Sequence, residues 1–221
     1  MQGSLSASMG AEGEEDSRFR RLRGWLSERA GDIGEYMRVT RAQGILRRYF
    51  AVNAFDGAMT SLGVVIGAYI VGLKEPAPML GVILMGGFAM AVSGFSGTYL
   101  TERAERERDL NDLEDAMLAD LTNTIHGEAT RYVSLFAALI DGAAPFVASI
   151  PALIPFALSA YRLLPPGIAF PASIASSLLT LFFLGVYLGS VSGENLVYSG
   201  LKMVAAGIAV ALLALLINGG H

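Results

Sequence analysis

Apolar residues come in five blocks along the chain, at residues 50–72, 79–100, 132–159, 168–189 and 197–217. Each block reaches or exceeds the roughly 20 residues that a helix needs to cross a bilayer. The pattern therefore predicts an all-α membrane protein with five transmembrane helices. The third block carries Pro145, Pro151 and Pro155, so a kink, or a break near its far end, is expected there. The second block runs without a helix breaker into the charged stretch that follows, so its helix is expected to continue into the segment 101–131. Together these elements form a five-span domain over residues 49–217. Ahead of it, residues 1–17 are rich in Gly, Ser and acids and read as a disordered tail. Residues 18–48 read as an interfacial region: Phe19, Leu22, Trp25, Leu26, Ile33 and Met37 fall at helical spacing among arginines. That fits an amphipathic helix on the membrane surface, or a plain cytoplasmic helix with a solvated face.

Composition agrees with the block pattern. Of 221 residues, 53% are hydrophobic and the mean hydropathy is +0.50, which soluble domains of this size rarely reach. There is no cysteine, which excludes disulfides and thiolate metal sites. The first 40 residues are polar, so no cleavable signal peptide is expected. Residues 1–49 hold nine arginines and 101–131 hold Arg103, Arg106, Arg108 and Arg131. The connections on the other side hold only Lys74 and Arg162. This asymmetry puts the N-terminus and 101–131 in the cytoplasm and, with five spans, the C-terminus outside. The chain suits a prokaryotic plasma membrane, and no nucleic-acid partner is expected.

The candidate chemistry lies in the charges that interrupt the apolar blocks. Asp56 stands inside the first span, where a carboxylate costs at least a few kcal/mol unless a partner, cation, proton or water-filled cavity compensates it. At about 100° per residue, Asn53, Asp56, Thr60, Gly63 and Gly67 share one stripe of that helix. Lipid would reject such a face, so it is expected to meet protein or water. Gly86, Met90, Ser93 and Gly97 form a small-residue stripe on the second span, where Met90 adds a soft thioether or simply packs. Asp141 is a second acid within a span, either functional or a hydrogen-bonded structural acid. Asp56, Asn53, Thr60, Met90 and Asp141 are therefore the candidate metal or proton pathway. Glu102, Glu105, Asp109 and Asp112 share one helical face, suited to a hard cation or simply solvated. Glu194 precedes the last span near its inner end, with Lys202 eight residues later, and as a helix-end group needs no ligand role. Glu102, Glu105 and Glu194 are the candidate cytoplasmic entry for metal.

These motifs, taken in order, resemble the vacuolar iron transporter family. Asn53-Ala54-Phe55-Asp56-Gly57, with Gly63 and Gly67, resembles that family's first span. Ser93-Gly94-Phe95-Ser96-Gly97-Thr98-Tyr99-Leu100, with Glu102 and Glu105, resembles the end of its second span and its helical extension. Asp141-Gly142-Ala143-Ala144-Pro145 and Ser199-Gly200-Leu201-Lys202-Met203 match its third and last spans in position. The resemblance covers about 45–217. It implies a five-helix homodimer that moves Fe²⁺, often also Mn²⁺, out of the cytosol in exchange for protons, with the ion path between subunits and Asp56 on it. Three departures stand out. Gly94 occupies the place of a metal-binding methionine, Gly86 that of a glutamate, and 101–131 is far shorter than the metal-binding domain of plant-type members. The chain thus resembles a short, prokaryote-type branch.

The leading expectation is a transporter and not an enzyme. It carries Fe²⁺ or Mn²⁺ as substrate, with proton and metal competing for Asp56 and no resident cofactor. A non-transporting scaffold or metal sensor of the same fold is the alternative. A remote one is an intramembrane aspartyl protease with Asp56 and Asp141 as its dyad.

Overall fold

The computed structural model describes residues 43–121 and 124–218, and these form five helices. They are α1 (Gln43–Ile70), α2 (Ala77–Met117), α3 (Ile125–Ala160), α4 (Pro166–Ser192) and α5 (Leu196–Asn218). All five are long and apolar enough to cross a membrane. The tail expected at 1–17 lies outside the described residues, as does the amphipathic helix expected from residue 18. The end of that interfacial region, 43–48, opens α1 instead. The helix α2 runs 41 residues to Met117, well past its apolar block. Its polar part holds no Gly or Pro and is rich in Glu, Arg, Leu and Ala, which favour helix.

Of the kink or break expected in the third span, the break is absent: α3 is one helix through Pro145, Pro151 and Pro155. Each proline lacks the N–H that would bond the carbonyl four residues earlier. The neighbouring helix supplies one missing donor. Ser176 of α4 donates its hydroxyl to the carbonyl of Pro151, 2.8 Å away, which Pro155 has orphaned. Ser173 likewise donates to the carbonyl of Ala152 at 2.7 Å. Hydroxyls from packed helices are how prolines are accommodated in apolar surroundings.

Two of the helices end at a left-handed glycine. Gly72 (φ 80°) closes α1, with Leu73 N–H bonded to the carbonyl of Ala68 at 3.0 Å. Gly193 (φ 73°) closes α4 in the same way, the N–H of Glu194 reaching the carbonyl of Gly189 at 3.0 Å. The next helix starts at once, because Asn195 Oδ1 accepts the N–H groups of Val197 and Tyr198 at 3.1 and 3.3 Å.

The described residues divide into two compact units. One comprises 107–121 and 124–133; within it Glu114 Oε1 accepts the N–H of Leu121 at 2.7 Å. The other comprises 44–106 and 134–218 and holds the five apolar segments.

Within that second unit α1 and α3 are the most enclosed helices and α5 the least. Ala54, Ala58, Leu62 and Ile66 recur every four residues and pack on Ala144 and Ala148 of α3 and Leu181 of α4. The contact is close because Gly57 lies against the backbone of Pro145, where any added methyl would overlap it. A second cluster joins Val65, Met79, Ile83, Leu153, Phe156, Ala169 and Phe170, with the rings of Phe156 and Phe170 edge to face at 5.0 Å. The outer faces carry exposed Val82, Met85, Phe88, Leu201, Ile208 and Leu212, a surface that suits lipid.

Candidate functional site

Polar side chains inside the five-helix unit gather where α1, α2 and α3 meet. The helices α1 and α2 run antiparallel in sequence register. Tyr49 and Asn53 on α1 lie one turn apart; Thr98, Glu102 and Arg106 on α2 lie at successive turns. The Tyr49 hydroxyl donates to Glu102 Oε1 at 2.7 Å, and Arg106 Nε donates to Glu102 Oε2 at 3.0 Å. One turn further in, Asn53 Nδ2 donates both to the carbonyl of Tyr49, at 2.9 Å, and to Asp141 Oδ1. Thr98 Oγ1 donates to Asp141 Oδ2 at 2.7 Å. Asp141 is 5% exposed and Glu102 is 6% exposed, so both are buried acids. Among the described residues, Glu102 has a cationic partner, Arg106, and Asp141 has none.

Glycines make the Asp141 site possible. A Cβ on Gly142 would come within 2.6 Å of the carbonyl of Ala91 and 3.0 Å of Phe95. A Cβ on Gly94 would stand 3.1 Å from Asp141 Oδ2 and 3.3 Å from the Asp141 carbonyl. The backbones of α2 and α3 therefore touch, with the Asp141 carboxylate directly beside Gly94.

The predicted site residues separate into two groups. Asn53 and Asp141 come together, although 88 positions apart in sequence. Asp56, nearly one turn beyond Asn53 and about 60° round the helix, falls outside the cluster: it is exposed and makes no hydrogen bond or ion pair among the described residues. Thr60 is exposed on the same side, and Gly63 and Gly67 continue the stripe, half-covered. Met90 is half-buried on α2. Asp56 and Asp141 do not share a proton here, since both oxygens of Asp141 are occupied by Asn53 and Thr98. Of the three glutamates, Glu102 is buried and paired, while Glu105 is exposed one turn on. Glu194 is exposed and bonds Lys202 Nζ and Ser199 Oγ, both at 3.2 Å. Among the described residues, no three His, Asp or Glu side chains converge as a metal site within one chain.

Sequence reasoning missed Tyr49, Thr98 and Arg106. The signal for them was present in the i, i+4, i+8 row of Thr98, Glu102 and Arg106, but a row names a face and not its partner.

Comparison with known proteins adds one relative. Over 175 residues the chain is 33% identical to the uncharacterized protein MJ0645 of Methanocaldococcus jannaschii, covering 77% of this chain and 87% of that one. The chain belongs to the family of that protein. No protein-family model matches it, and no solved structure does.

Proposed function

We propose that this membrane protein is a divalent transition-metal transporter that moves Fe²⁺ or Mn²⁺ out of the cytosol in exchange for protons. One observation carries the reading: Asp56 stands in the middle of an apolar helix, exposed and without a hydrogen bond or ion pair among the described residues. A carboxylate cannot be left to lipid, so this face meets water or a second copy. Thr60 shares the face, and Gly67 on α1 and Gly86 and Gly97 on α2 have no atom within 4 Å of a Cβ built on them. These small, uncovered surfaces suit the close approach of helices from another protomer. A two-fold axis there would double Asp56 and Thr60 into an oxygen set fit for Mn²⁺ or Fe²⁺, which no single chain assembles among its described residues. Glu105 and Glu194, both exposed, would gather cations at the cytoplasmic mouth. The arginine asymmetry supports an inside N-terminus and an outside C-terminus. The resemblance to vacuolar iron transporters supports the same reading.

The deciding experiment is Fe²⁺ and Mn²⁺ flux into proteoliposomes against an opposing pH gradient, for the wild type and Asp56→Asn. Flux that the substitution removes is the expected result. Equal flux in both would sink the role of Asp56. No flux of either metal from folded wild-type protein would favour the scaffold or sensor alternative, for which binding without flux identifies the sensor.

A further inference from the structure

We propose that Asp141 is a proton-binding site, neutral in the resting protein and able to release its proton without rearranging its neighbours. The geometry argues for a proton in preference to a metal ion. The carboxylate is buried where the backbones of α2 and α3 are in contact through Gly94 and Gly142. A hard divalent cation needs about six oxygen ligands, and this packing leaves no room for that shell. The side-chain partners are two neutral groups, the amide of Asn53 and the hydroxyl of Thr98. The ionisable groups facing the cluster are Tyr49 from α1 and Glu102 and Arg106 from α2. The Tyr49 hydroxyl gives its hydrogen to Glu102, and Arg106 turns its Nε–H to the same carboxylate. Among the described residues no cation bonds Asp141, and a buried charge without one is neutralised by a proton.

The backbone pushes the same way. Pro145 has no N–H, so the carbonyl of Asp141, four residues earlier, lacks its helical donor. That carbonyl and Oδ2 both face Gly94. An ionised carboxylate would lie beside the negative end of a peptide dipole that lacks its i+4 helical donor. A neutral acid avoids this.

The hydrogen-bond chemistry accepts either state. Ionised, Asp141 accepts from both neighbours. Protonated on Oδ2, it donates to Thr98 Oγ1 across the same 2.7 Å, a normal O–H···O length. Thr98 reverses because a hydroxyl both donates and accepts. Asn53 keeps its bond to Oδ1. Asn53 also joins this site to the helix that carries Asp56. That link makes Asp141 the carrier of the exchanged proton, a role that rests on the transport reading above, whereas the protonation itself does not.

The test is infrared difference spectroscopy of the full chain in lipid nanodiscs, read at the carbonyl stretch of a protonated carboxylic acid. The expected result is a band present at neutral pH, lost reversibly as pH rises, and absent in Asp141→Asn. Thr98→Val should shift that band by removing its hydrogen bond, which assigns it even if Asp141→Asn fails to fold. No band at neutral pH would overturn the proposal, as would a band that neither titrates nor responds to Thr98→Val. Flux supplies a separate arm. In Asp141→Asn a pH gradient should no longer accelerate metal movement, and an acceleration equal to the wild type would remove Asp141 as the carrier of the exchanged proton. Wild-type protein without flux but with the titrating band would refute transport and leave the proton site standing.

Discussion

The hydroxyl of Ser176 gives the sharpest prediction about the fold, because its worth depends on a proline in another helix. It has one hydrogen and two carbonyls in reach, Pro151 at 2.8 Å and Ser173 at 2.9 Å. The Ser173 carbonyl already accepts the hydroxyl of Ser177 at 2.9 Å, besides its helical N–H. The Pro151 carbonyl has no helical donor, since Pro155 lacks the N–H. The hydrogen therefore gains more at Pro151. Leaving a buried carbonyl unpaired costs about 1–3 kcal/mol in protein interiors. Cycles between transmembrane helices average about 0.6 and reach about 1.7 kcal/mol. With no fallback donor in its own helix, this carbonyl belongs toward the upper end. Ser176→Ala is expected to cost about 1–1.5 kcal/mol. With Pro155→Ala, which restores the N–H to the ladder, the same change should cost close to nothing. The assay is a double-mutant cycle by steric trapping in bicelles, with an expected coupling of about 1 kcal/mol. Equal costs for Ser176→Ala in both backgrounds would refute the account of why α3 survives its prolines.

Two further outcomes follow from the same geometry. Gly142→Ala should destabilise the protein by about 1–3 kcal/mol, since its Cβ would meet the Ala91 carbonyl at 2.6 Å. Gly97→Ala, with nothing nearby, should leave a single protomer's fold intact or gain the helix preference of alanine. Thermal unfolding of the two variants in one detergent checks the contrast, and a Gly142→Ala protein as stable as the wild type would contradict the backbone contact. At the connection between α4 and α5, the Lys202 ammonium, by its hydrogen bond and its charge, and then the Ser199 hydroxyl, hold the Glu194 carboxyl below the usual carboxylate range. The sign follows: this pair's contribution is present above the ordinary carboxylate value and fades as pH falls through the lowered one. Carboxyl ¹³C titration by NMR should show the midpoint rising in Lys202→Ala, and an unmoved midpoint would remove Lys202 as the cause.

Much of the architecture was legible because bilayer crossing is a local requirement. About 20 apolar residues in a row suffice to mark a span, whatever they pack against, so all five segments could be read from the chain alone. The stripe of Asp56 and Thr60 was legible for a similar reason: helical periodicity fixes which residues share a face. The integrity of α3 was not, since three prolines argue for a kink or a break, and the hydroxyl that meets one orphaned carbonyl, that of Ser176, arrives from α4. Nor could the sequence tell its two intramembrane aspartates apart, as each stands beside a glycine in an apolar run. Tertiary packing turns one outward and buries the other between Asn53 and Thr98, from two other helices. Periodicity along one helix cannot specify a rotation against its neighbours. That rotation is set by where glycines let backbones touch, here at Gly57, Gly94 and Gly142.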